Sequence, residues 1–232
     1  TYLPEQQVGA WHNHDTDGVF ESVVVVAEGQ DDVLYCVVQR TIDGAQKRYV
    51  EFFRPRHFAD QADAYFVDCG LTYSGAPADV ISGLSHLEGK EVAVLGDGAV
   101  MPRVTVTGGA ITLPREVSKA QIGLPFTSEL QTLPLAFEAQ GFGQGMVKNV
   151  NQAWVRVFRS GGIFVGPSFD KLVEVKQRSD EPYGSPPSLK TDELRVQLNP
   201  DWTRAGQVCL RQADPLPLTV TSLTLETSLG GA

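Results

Sequence analysis

Apolar and polar positions alternate along this chain in short runs with the two-residue period of β-strands, and turn residues punctuate them at close intervals. Phe20–Ala27, Val33–Ile42 and Lys47–Phe53 form three such runs in succession and predict an antiparallel meander. Glu28 to Asp32 is a hairpin loop containing Gly29, and Asp43-Gly44 is the dipeptide favoured in a two-residue type I′ turn. The consecutive valines at 23–26 and 37–38 have the character of strand segments buried on both faces.

After Arg54-Pro55-Arg56, residues His57–Ala64 are a polar connector with room for one helical turn, and Tyr65–Tyr73 is the next strand, broken by Gly75-Ala76-Pro77. Between Ser82 and Leu124 four β-prone runs follow, at Val92–Leu95, Arg103–Thr107, Ala110–Leu113 and Lys119–Ile122. Gly96-Asp97-Gly98 and Gly108-Gly109 supply the positive-φ residues that their hairpins need. A boundary falls near Pro125, where GLPFTSELQTLPL leads to a glycine-spaced bend at Phe142–Gly145. Asn151–Arg159 alternates as a half-buried strand, Ile163–Gly166 continues it as a hairpin, and Leu172–Gln177, Glu193–Leu198, Gly206–Gln212 and Leu218–Glu226 add four more strands. Ser179–Lys190, rich in Pro, Ser and Gly, reads as a long mobile loop open to proteolysis.

The expectation is therefore an all-β protein of two or three small antiparallel domains. These are a meander over 1–64, a small β-barrel-like module over 65–125 and a β-sandwich over 126–232.

Composition narrows the function. With 232 residues, 42% of them hydrophobic and 20% charged, the chain has ample material for a core, and 23 Gly with 14 Pro fit a turn-rich fold. A formal net charge of −9 argues against a surface that grips nucleic acid, because phosphate binding draws its affinity from Lys and Arg. It leaves open an acidic wall past which DNA slides. Cys36, Cys69 and Cys209 are odd in number and lie in apolar runs, so they read as core thiols of a reducing compartment. No apolar run approaches the length of a bilayer span, and TYLPEQQ has neither a basic nor an apolar leader region. Because the chain begins at Thr1 rather than Met, a fragment of a longer polypeptide is expected.

Candidate chemistry is sparse. His12, His14, Asp15 and Asp17 are the right ligand types for a transition metal, but their spacing fits no zinc pattern, and Asp and Gly here serve equally to turn the chain into the Val19 strand. Gly96-Asp97-Gly98 lacks the following helix that a phosphate loop requires. Ser85-His86 and the cysteines are the remaining nucleophile candidates, with neither a G-x-S-x-G nor a Cys-His signature, and the acidic pairs Asp31-Asp32 and Asp180-Glu181 belong to turns. His57 and His86 read as surface residues of connectors. Trp154, Arg156, Phe158 and Arg159 interleave as on a stacking platform for single strands, yet no wider basic patch surrounds them. The residues thus assign no catalytic, cofactor-binding or metal site, and no cofactor.

Three stretches together carry a family resemblance: Trp11 with His14–Gly18 and Glu21-Ser22-Val23; Val33-Leu34-Tyr35 through Arg48–Glu51; and Asp68–Tyr73 running into Leu84–Lys90. With the ending Gly206–Leu210 and Asp214–Leu218, the chain resembles the C-terminal part of tail nozzle proteins of short-tailed bacteriophages, also called tail tubular protein B or head-tail stabilisation proteins. The resemblance implies a non-catalytic structural component of the virion tail, assembled in the bacterial host cytoplasm. It also implies a homo-oligomer, a hexameric ring that continues the DNA channel below the portal and adaptor proteins and lets DNA pass without specific binding or membrane insertion. The meander would be a propeller blade, and the 82–124 module is similar to a small β-domain named after ubiquitin-activating enzymes, without their nucleotide or thioester apparatus. The alternative is a carbohydrate- or receptor-binding tail module with Trp154, Trp202 and Tyr183 as stacking aromatics.

Overall fold

The computed structural model describes residues 2–3, 5, 7–9, 13–136 and 145–230, and it is an all-β protein. The chain divides into two compact units, Thr1–Arg54 and Pro55–Ala232. Trp11, His12 and the Phe142–Gln144 part of the glycine-spaced bend lie outside the described residues.

In the first unit β1 (Tyr2–Leu3) pairs with β2 (Val8–Gly9), and β3 (Val19–Glu28), β4 (Asp31–Ile42) and β5 (Ala45–Phe52) form the meander, in the order β3-β4-β5. The β4–β5 turn is built on Asp43 and Gly44 at φ 51° and 71°, the pair of left-handed residues that a type I′ turn demands. Gly29, at φ 68°, turns β3 into β4, and the strands reach closer to that turn than the five-residue loop expected. The inward series of β4 is Cys36, Val38, Arg40 and Ile42, all buried. Gly18 crosses that series so closely that a Cβ on it would come within 2.5 Å of the Gln39 carbonyl oxygen, so the 13–18 segment covers β4 only because residue 18 has no side chain.

The second unit holds two β-bodies. β6 (Asp68–Ser82), β7 (Glu91–Gly96), β8 (Ala99–Thr105) and β9 (Ala110–Leu124) make a four-stranded antiparallel sheet in the order β6-β9-β7-β8. It curls around a core that includes Ile81, Leu87, Val92, Val94, Val117 and Ile122. Two sequence expectations are corrected here. Ala110–Leu113 and Lys119–Ile122 are one strand rather than two, and Gly75-Ala76-Pro77 does not end its strand. Strands β6, β8 and β9 each carry a proline past a break in the ladder. Pro77 lies between the Ser74 and Ala78 pairings, Pro102 between Met101 and Val104, and Pro114 between Thr112 and Val117. A residue without an N–H is tolerated where the ladder bulges, and the bulges bend these long strands over their own core.

β10 (Ser128–Gln131), β11 (Lys148–Val157), β12 (Phe164–Gly166), β13 (Val173–Glu174), β14 (Glu193–Gln197), β15 (Cys209–Gln212) and β16 (Val220–Leu229) form two sheets, ordered β10-β15-β12-β13 and β14-β11-β16. Val155, Val157 and Val196 from one sheet meet Val165, Val208 and Leu210 from the other side, which makes this body a sandwich. The hairpin expected between 151–159 and 163–166 is not formed: β12 pairs with β13 and β15, so the chain changes sheets at Arg159–Gly162. Arg159 and Gly162, at φ 43° and 66°, make that crossover.

The 57–64 connector contains a 3-10 turn at Gln61–Asp63, with the Asp60 side chain accepting from the Ala62 N–H. The 179–190 loop, expected to be mobile, is tied down instead. The Glu181 carboxylate accepts from the backbone N–H groups of Ser179 and Ser188, both at 2.9 Å, and Lys190 exchanges backbone bonds with Ser160. Those backbone donors hold the Glu181 carboxyl well below the ordinary carboxylate range, at about 2.

Candidate functional site

The residues singled out for chemistry are dispersed. Cys36 and Cys209 are buried thiols, pushed up by that burial and by the neighbouring Glu51 and Glu129 respectively. Cys69 packs on the edge of the module core, at φ 47° in the bulge before Leu71. His86, on the 3-10 turn Ser85–Leu87, is half-buried rather than a surface residue, and its Nε2 lies 3.1 Å from the Cys69 carbonyl oxygen.

His14 stands edge-on to Phe53, with ring centroids 5.8 Å apart, and the Asp17 carbonyl accepts from Arg40. Among the described residues no three His, Cys, Asp or Glu side chains gather as metal ligands. Gly96-Asp97-Gly98 is a hairpin turn. Asp97 and Gly98 have φ 48° and 77°, and the Asp97 carboxylate accepts from the Ser118 and Lys119 N–H groups, which binds the turn to β9.

Trp154 and Arg156 share the outer side of β11, opposite Val155 and Val157, and the exposed Phe158 follows the last residue of the strand. Arg156 faces Glu193 at 3.8 Å, and Arg159 points elsewhere, its guanidinium 4.2 Å over the Phe58 ring. The three aromatics of the carbohydrate alternative are spread along the sandwich. Trp202 lies beside Gly230 near the start of β11, Trp154 is midway along it, and Tyr183 is on the loop tied at its far end.

What the structure presents in their place is a surface. All ten residues of β3 are exposed. Val23 and Val25 on one face are 63% and 60% exposed and Val24 on the other 57%, while Val50 of β5 reaches 75% and Phe52 joins it. The expectation that the valine run is buried on both faces therefore fails for β3. Among the described residues it is an edge strand, paired with β4 alone. The edge carries no Lys, Arg or Pro, the residues that usually blunt one. Its two acids are occupied: Glu21 receives both Nε and Nη2 of Arg48, at 2.6 and 2.9 Å, and Glu28 receives the Tyr35 hydroxyl. The bond from Arg48 holds the Glu21 carboxyl below its ordinary value, and the bond to Glu28 pushes the Tyr35 hydroxyl up.

Sequence reasoning missed the buried charges. Arg40 is wholly enclosed and pairs with the partly exposed Glu51, and the buried Lys148 donates to the carbonyls of Met146 and Arg204. The position of Arg40 in the even-numbered series with Cys36, Val38 and Ile42 was the available signal.

A comparison with known protein families finds none that the chain matches, and a comparison with curated proteins finds no match either.

Proposed function

We propose that this chain is a non-catalytic structural subunit of the tail nozzle of a short-tailed bacteriophage, acting in the virion tail by association with copies of itself. The observation that supports this reading is the β3–β5 surface. A strand of ten exposed residues, apolar on both faces and with one edge unpaired among the described residues, gains from burial against protein. Exposed valines at this density recruit a sheet neighbour more readily than a small polar ligand.

In this reading the subunits close into a six-membered ring below the portal and adaptor proteins, after assembly in the host cytoplasm. Heterologous contacts of this kind close into rings when the rotation per subunit permits it. The net charge of −9 then suits a channel wall along which DNA travels without sticking.

Sedimentation of the purified chain across a concentration series tests the self-association. The wild-type chain is expected to form oligomers, and Val24→Lys, at an exposed site that carries no core packing, to shift it to monomers with an unchanged circular dichroism spectrum. A wild-type chain that stays monomeric at high concentration would refute the reading. Imaging with portal and adaptor proteins tests the assignment to the tail: rings stacked below the adaptor are expected, and a chain that joins no such stack overturns it.

A further inference from the structure

Neither apolar core of the second unit crosses between its two bodies. One cluster is confined to residues between Cys69 and Leu124, and the other to residues between Leu135 and Leu225. Among the described residues, the hydrogen bonds and ion pairs that join the bodies converge for the most part on the 57–64 connector, where Phe58 and Phe66 add a ring contact.

On the module side, Gln121 donates to the Ala62 carbonyl at 2.9 Å, and Lys119 binds the Asp63 carboxylate at 2.6 Å. On the sandwich side, Arg159 donates to the Phe58 and Ala59 carbonyls at 2.7 and 3.1 Å, with its guanidinium stacked on the Phe58 ring. The Gln61 amide reaches both bodies at once, donating to the Gly98 carbonyl at 2.8 Å and to the Pro187 carbonyl, in the loop organised by Glu181, at 3.0 Å. Arg103 adds a bond to the Ala213 carbonyl at 3.2 Å.

We propose that residues 57–64 are a strap that latches the 68–124 module to the sandwich, with Arg159 as its catch, and that this seam opens as a unit while both cores stay folded. The chemistry of the seam is the reason. Guanidinium and amide donors on backbone carbonyls exchange for water at little net loss, whereas separating an apolar interface exposes area in proportion to its size. An interface of this polarity permits relative motion of the bodies it joins. The strap moves with the module, because the chain runs from Ala64 straight into β6, and Gln121 and Lys119 of β9 hold it there. The pivot is then the Pro125–Thr127 link between β9 and β10. Arg159 suits the role of catch because its own backbone, at φ 43°, is held where the chain leaves β11 for the other sheet.

Hydrogen exchange with small-angle scattering tests the latch. In the wild-type chain under mildly denaturing conditions, the amides of Asp63 and Ala64 are expected to exchange through a smaller opening than those of Val94 and Val155. In Arg159→Ala with Gln61→Ala, exchange at 57–64 rises at least tenfold, the maximum dimension in solution grows, and core protection in both bodies is retained. Arg159→Lys, which keeps a charge but loses the fork and the stack, falls between the two, and Arg156→Ala on the neighbouring outer face has no effect. The proposal is overturned if strap and core amides exchange together in the wild-type chain, or if the double variant keeps wild-type strap protection and dimensions.

Discussion

Removing the guanidinium of Arg40 is expected to unfold the first unit and leave the second intact. Arg40 Nε and Nη2 each donate to a Glu51 carboxylate oxygen at 2.7 Å, and Nη1 donates to the Asp17 carbonyl at 2.9 Å. The Arg40 side chain has no exposure and that of Glu51 only 19%, so Arg40→Ala strands a mostly enclosed carboxylate and opens a void beside Val38 and Ile42. Breaking a buried pair from one side costs about 3–5 kcal/mol. A unit of 54 residues has a total stability of about 3–8 kcal/mol at the usual value per residue, so the loss is comparable to all of it. Exchange mass spectrometry reads each unit separately. Protection should vanish across β3–β5 and persist in β7, β9 and β11. Arg40→Met with Glu51→Leu removes both charges while keeping the volume, and should recover to within about 1 kcal/mol of the wild-type chain. The reasoning is refuted if Arg40→Ala costs less than about 1 kcal/mol, or if the double variant is as unstable as the single one.

The 179–190 loop should loosen in acid. A carboxyl held at about 2 when folded contributes stability above its unfolded value near 4.3, and that contribution disappears as pH falls from there towards 2. Exchange in the loop should therefore rise across that window in the wild-type chain. In Glu181→Gln it should be fast and flat, and identical profiles in the two chains would contradict the assignment. Ile122→Ala, at a fully buried site in the module core, should cost about 2–5 kcal/mol in urea denaturation. Protection in β11 should change little, because the sandwich core is a separate cluster.

The parts of the fold legible in the sequence are those set by neighbours a few residues apart. Asp43-Gly44 and Gly96-Asp97-Gly98 announced their turns because few other residues adopt φ near +50° cheaply, and the meander followed from them. Pro77 misled. It read locally as a strand breaker, whereas the bulge that accommodates it depends on partners about 40 residues away. The sheet change after Arg159 was equally hidden, since β12 finds its partner in β15, far along the chain. Ser179–Lys190 had a loop's composition, but its anchoring depends on one carboxylate meeting two backbone donors. At the candidate surface, the valines of β3 were visible and their exposure was not. Hydrophobicity states what a residue gains from burial, not whether anything arrives to bury it.

The placement of β15 between β10 and β12 has a consequence for synthesis. Both of those strands leave the ribosome long before Cys209–Gln212 exists, so their inner edges wait with bare amides until β15 follows them. Any truncation ahead of Cys209 would leave that half of the sandwich without its middle, a state in which holding chaperones rather than native contacts must shield it.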